Sequence, residues 1–188
     1  MQKPVFTVAA CVAGAFLLAG CGGSSSSSGG NFDRLVDEAA ELSETLDAMT
    51  ATDAADMPMS GTATYVGLLG GDLEDDDGII ARLTMTADFN AGTIDGSADD
   101  WVSEDIGRIS GSVPLSGTIT GASLSASGDG TLSARGESAL VSLGLDGGFQ
   151  TSGHDATAAI RGDVTGTFLY DDDDDDILTN GEFGAIKQ

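Results

Sequence analysis

Most residues of this chain that could do chemistry are carboxylates. Two acidic runs stand out: Asp72, Glu74, Asp75, Asp76 and Asp77 followed by Gly78, and the unbroken run Asp171 to Asp176. Dense hard oxygens suit calcium, which takes about 6–8 of them. Yet no placement of the first run puts Gly78 sixth in a calcium loop with acids at positions one, three and five and a glutamate at twelve. The second run has no glycine to make the turn. Asp172, Asp174 and Asp176 are therefore candidates for weak calcium binding only, and solvated loops are the expectation for both runs. His154 is the single histidine. It has no G-x-S-x-G elbow to work with as part of a nucleophilic system. It also has no second nitrogen or sulfur ligand for zinc. A surface histidine is expected, with haem ligation by His154 or a tyrosine as the alternative. Trp101, beside Asp99, Asp100 and Glu104, reads equally as an exposed binding aromatic or as a lid on the core. No catalytic residue is expected.

The remaining reactive group is a thiol. Val5 to Leu18 is almost wholly apolar or small, follows Lys3, and closes on Leu18-Ala19-Gly20-Cys21. That run is too short to span a hydrocarbon core as a helix, which needs ~20 residues, and it fits a secretory leader. Leu-Ala-Gly-Cys resembles the bacterial lipobox, which implies a diacylglycerol on the Cys21 sulfur, cleavage before it and acylation of the new amine. More than one acyl chain is what stable anchoring requires. Cys11 leaves with the leader, so the mature chain has no thiol for a disulfide or a metal site. Gly22 follows the cysteine, with no aspartate to retain the protein at the inner membrane; the outer membrane is expected.

Removing residues 1–20 takes away Lys3 and moves the net charge from −24 to −25, six basic residues against 31 acidic ones. Nucleic acid and anionic membrane surfaces repel such a chain and are poor partners for it; no nucleic-acid partner is expected. Salty surroundings, which screen self-repulsion within a Debye length, account for the same acidity without any cation site.

The elements follow from composition and period. Residues 21–30 form a lipidated Ser/Gly tether with a reach of ~16 Å. Residues 31–60 contain no glycine. There Phe32, Leu35, Val36, Ala39, Leu42, Leu46 and Met49 recur at helical spacing, predicting an amphipathic helix capped by Asn31. The helix either packs on its own domain, serves as a stalk, or binds a partner or a second copy, and Ala51 to Ser60 reads as a linker. Residues 61–188 change to period two: Ala81, Leu83, Met85, Ala87 and Phe89 alternate with polar residues, as do Val113 and Leu115, Ala139 to Leu145, and Val164, Phe168 and Tyr170. This stretch holds 22 of the 28 glycines, as turns and barrel corners demand. The fold class expected is all-β, a single antiparallel barrel of about eight strands, preceded by the helix and the tether. Diluted apolar faces, with one Trp and two Tyr, argue against a membrane-spanning barrel, which needs aromatic girdles.

GTATYVG (Gly61–Gly67), LTMTADFNAGTIDGS (Leu83–Ser97), LSGTITGASLS (Leu115–Ser125), GDVTGTFLY (Gly162–Tyr170) and NGEFGAIKQ (Asn180–Gln188) resemble the transferrin-binding-protein-like surface lipoproteins. The resemblance covers residues 61–188 and implies an eight-stranded barrel unit, also found in factor H-binding lipoproteins. The matching motifs are scaffold, and the family's ligand contacts lie in loops that do not carry over. The acidic run at Asp171 to Asp176 departs from the short mixed loop of that pattern, and one barrel is present with no second lobe.

Two functions follow from these readings. One is a non-enzymatic, outer-membrane-anchored binding module that captures a protein, haem or small solute through its loops, with an outer-membrane receptor or export protein as a further partner. The other is a structural or protective acidic envelope lipoprotein without a specific ligand. No cofactor is expected beyond the lipid on Cys21 and weak calcium.

Overall fold

Alternating side chains and glycine corners give eight long strands in the computed structural model, which describes residues 29–73, 77–170 and 175–188. The order is α1 (Gly29–Asp47), β1 (Thr50–Ala51), a 3-10 turn (Ala54–Asp56), β2 (Thr62–Asp72), β3 (Gly78–Asp88), β4 (Thr93–Ser103), β5 (Gly107–Arg108), β6 (Ser110–Thr120), β7 (Ser123–Ala134), β8 (Glu137–Thr151), β9 (Ala159–Tyr170) and β10 (Asp175–Lys187). The long strands pair antiparallel in the order β8-β7-β6-β4-β3-β2-β10-β9, and β9 pairs back to β8, so the barrel is closed. Closure leaves no long unpaired edge. The expected eight-stranded all-β barrel with a preceding helix is what forms.

The inward positions are the ones the period marked. Ala81, Leu83, Met85, Ala87, Val113, Leu115, Ala139, Val141, Leu143, Leu145, Val164 and Phe168 are all buried in one core. Tyr65, Trp101 and Phe149 are its largest fully buried side chains. Tyr65 meets Phe149 edge-on at 5.9 Å and Trp101 meets Phe168 edge-on at 6.4 Å, the geometry ring quadrupoles prefer. The interior is filled by side chains.

Alternation breaks at Leu68-Leu69, Ile79-Ile80 and Trp101-Val102, where adjacent residues are both buried. Leu69, Ile79 and Trp101 enter the core, while Leu68, Ile80 and Val102 lie on the outer wall beneath α1. The helix covers them with Leu35, Phe32, Ala39 and Leu42. Burial of Leu35 alone is worth ~1.5–3 kcal/mol. Two glycines permit the close approach: a Cβ on Gly184 would clash with Leu46, and one on Gly78 would lie 2.7 Å from Phe32. Arg82 clasps Glu38, and Arg161 reaches Asp47 at 2.9 Å. Of the roles open to the helix, packing on its own domain is the one observed. It starts at Gly29, two residues before the expected Asn31 cap, and ends at Asp47.

Ala51 to Ser60 is not a free linker. β1 adds to the projecting end of β8 through Thr50–Thr151 and Ala51–Gln150. Thr52 then donates its N–H to the Phe149 carbonyl and its hydroxyl to the Ala156 carbonyl, 2.6 Å away. Asp53 caps the 3-10 turn through the Ala55 N–H, and Met57 packs on the core. The segment thus crosses one mouth of the barrel before Gly61 accepts from Phe89 N–H and β2 begins.

Candidate binding surfaces

Up-and-down strands put the β2–β3, β4–β6, β7–β8 and β9–β10 connections at one end of the barrel, and the other connections with the Ala51–Ser60 segment at the opposite end. The described residues of the two acidic runs, Asp72 and Asp77 of the first and Asp175 and Asp176 of the second, are at the first, acidic end. Cys21, Asp172, Asp174 and residues 74–76 lie outside the described residues. Asp176 is within β10, half-buried, and its carboxylate faces the Tyr170 phenol. Among the described residues no group of three His, Cys, Asp or Glu side chains is placed to hold a metal ion.

The described acids flanking the first run hold the end together. Asp77 accepts from the Ser103 hydroxyl at 2.7 Å and from Asp105 N–H at 3.0 Å, while Ser103 in turn accepts from Ile106 N–H. Asp72 accepts from the Asn180 amide at 3.2 Å, bridging β2 to β10 beside the Asn180 bulge. Arg135 Nη2 donates to the Asp105 carbonyl. Between these loops lies a cleft of about 130 Å³ with Leu73, Ile79, Ile109 and Phe168 in its lining and Arg135 and Tyr170 beside them. Burial first, then the Asp176 charge, pushes the Tyr170 phenol up to about 12.

Trp101 packs edge-on against Phe168, one of the residues that line that cleft. Asp99 faces Arg82 while Val102 faces Ile80, so one extra residue enters β4 here. Asp100 takes the strain at φ 51°. Such a bulge switches the side-chain alternation of the strand, and it turns Trp101 inward, fully buried, with Nε1–H donating to the Ala98 carbonyl at 3.1 Å. Of the two readings of Trp101, the core role is observed and the exposed aromatic is not.

His154 is exposed in the β8–β9 connection at the opposite end. It borders an open depression of about 400 Å³ with Pro58, Ser60, Phe89, Asp155 and Lys187. Ser60, His154 and Asp155 therefore share a site, but Asp155 is occupied elsewhere. It accepts from Lys187 Nζ at 2.8 Å and from Thr157 N–H and hydroxyl. Lys187 and then Thr157 hold its carboxyl below the usual range. Among the described residues no hydrogen bond joins His154 to either neighbour, so no proton relay is assembled. The two tyrosines are committed as well: Tyr65 donates to the Thr157 carbonyl at 3.1 Å inside the core, and burial pushes it up to about 12.

The outer wall carries a feature that no sequence motif marks. Leu140, Leu169 and Ile177 are 61%, 43% and 48% exposed on neighbouring strands β8, β9 and β10. Their even-odd position in strands whose other apolar residues point inward was the available signal.

No protein-family model matches the chain. No curated protein is a significant match. A solved structure described as intact Ap-TbpB, with N and C lobes, aligns with 73% of this chain at 18% identity and a TM-score of 0.43. The chain spans only 28% of that protein's length.

Proposed function

We propose that this chain is a non-enzymatic binding module, anchored to the outer membrane by lipid on Cys21, that captures a protein through its outer surfaces. The observation that carries the reading is the filled barrel. Tyr65, Trp101, Phe149, Leu83, Met85 and Ile94 occupy the interior with at most 1% exposure each. Ligand sites for drug-sized molecules run to ~300–1,000 Å³, are enclosed and are mostly apolar; the acidic-end cleft is about 130 Å³, and the depression of about 400 Å³ beside His154 is open and lined largely by polar residues. A solid barrel with structured loop ends offers surface, which suits a macromolecule better than haem or a small solute. The acidic groups described at the loops serve as loop pins, which supports a scaffold built to present those ends. Gly22 after the cysteine supports the outer membrane, and the Ser/Gly tether supports reach beyond it.

Haemin titration of the full chain, followed by the Soret band, tests the choice of ligand class. The reading predicts no saturable one-to-one complex; saturation at micromolar haemin would replace the protein partner with haem. Cys21→Ala should abolish palmitate labelling and release the chain from the membrane fraction. Retained label would remove the anchor from the account.

A further inference from the structure

The strand register places chemistry on the outer wall that the fold itself does not use. Leu140 pairs directly with Leu169, whose partner on the other side is Asp175, and Ile177 lies next along β10 opposite Thr167. This leaves an exposed aliphatic patch over three adjacent strands. Farther along the same face, Asp146 pairs with Asp163, and Asp163 with Glu182. All three are exposed. Like charges directly opposite across strands are destabilising, so this row of three carboxylates costs the isolated barrel stability.

The chain's own cations do not relieve it. Among the described residues Arg34 and Arg82 pair with Glu38, Arg108 with Asp100, Arg161 with Asp47 and Lys187 with Asp155. Arg135 donates to the Asp105 carbonyl. The helix covers a second outward aliphatic group, Leu68, Ile80 and Val102, and leaves Leu140, Leu169 and Ile177 open.

We propose that the β8–β10 wall docks a protein partner whose contact face combines aliphatic side chains with a row of lysines or arginines. The aliphatic patch and the carboxylate row are separated by six residues of β8, ~20 Å of strand, which sets the spacing the partner must match. Charge decides the occupant. A second copy would bring the same carboxylates and its own charge of about −24, and like-charge juxtaposition opposes that contact. A wall three strands wide falls at the small end of specific interfaces. The inference rests on the binding-module reading but moves the contact from the loops to the wall.

The probe is a synthetic peptide with a lysine block and a leucine block at that spacing, and a control with serines for the leucines. Both are titrated into the full chain by fluorescence anisotropy, and carbodiimide cross-links are located by mass spectrometry. The leucine peptide should bind about tenfold tighter than the control, with links at Asp146, Asp163 and Glu182. Leu140→Ser with Leu169→Ser should erase that advantage while leaving the control peptide's affinity unchanged. Asp163→Asn with Glu182→Gln should weaken both peptides and flatten the salt dependence. Equal affinity of the two peptides, links scattered over the acidic end, or a leucine advantage surviving both Leu140→Ser/Leu169→Ser and Ile177→Ser would overturn the proposal. So would a wild-type dimer in light scattering that the leucine variants dissolve, which would assign the patch to a second copy. A natural partner that binds these variants at full affinity would sink the wall as the docking face and leave the binding-module reading standing.

Discussion

Arg82 places Nη1 and Nη2 each 2.9 Å from one carboxylate oxygen of Glu38, joining α1 to the outer face of β3 in a two-pronged clasp. The guanidinium hydrogen bonds hold the Glu38 carboxyl below its ordinary value. A depressed carboxylate stabilises the fold above its unfolded pKa, and that contribution is lost as pH falls through the folded value. Both partners are partly exposed, so Arg82→Ala should cost only about 0.5–1 kcal/mol at pH 7. The deficit should shrink when both proteins are melted near pH 3. An unchanged gap there would place Arg82's contribution in packing instead.

The bulge at Asp100 has a spectroscopic consequence, because Trp101 is the only tryptophan. Buried as it is, it should emit to the blue of the unfolded chain. Deleting Asp100 removes the extra residue and sets Trp101 opposite the inward-facing Ala81, so a folded deletion variant should keep its blue emission. Trp101→Ala should cost about 3–5 kcal/mol. Emission near the unfolded position from a folded deletion variant would show that Asp100 does more than take up the extra residue of the strand.

These two sites mark how far the sequence could be read. The inward residues of β3 and β8 were legible because period two has one physical meaning when one face is buried. The doubled pairs Leu68-Leu69 and Ile79-Ile80 already carried the docked helix, since a strand needs apolar residues on both faces only when both are covered. Trp101 was not legible: a one-residue bulge inverts the alternation, and its only trace was Asp99-Asp100 ahead of the ring. The Ala51–Ser60 segment reads as polar linker because its docking uses backbone pairs and the Thr52 hydroxyl, which leave no periodic pattern.

Alkali should act through the phenols. Tyr65 and Tyr170 are both pushed up from 10 to about 12, first by burial. A raised pKa means that the folded state holds its proton more tightly, so stability is intact below pH 10 and is lost between 10 and about 12. Unfolding in that window should coincide with the rise in tyrosinate absorbance. Tyr65→Phe should make the loss shallower. Ionisation of both rings well before unfolding would contradict their burial.

The acidic end should respond to screening. Adding salt should raise the melting temperature as self-repulsion falls. Sodium and calcium at matched ionic strength should act alike apart from valence, with any calcium binding at Asp172, Asp174 and Asp176 weak and millimolar. Micromolar calcium saturation in calorimetry, removed by Asn at those three positions, would establish a true site.

The central claim is capture of a protein by a folded, lipid-anchored barrel, and affinity recovery tests it most directly. The full chain is immobilised and exposed to growth medium and to serum, beside the same chain after thermal unfolding. The account predicts a protein retained by the folded chain alone, in stoichiometric amount, and released by raised salt. Nothing retained by the folded chain above the unfolded control would contradict it and leave an acidic envelope lipoprotein without a specific ligand.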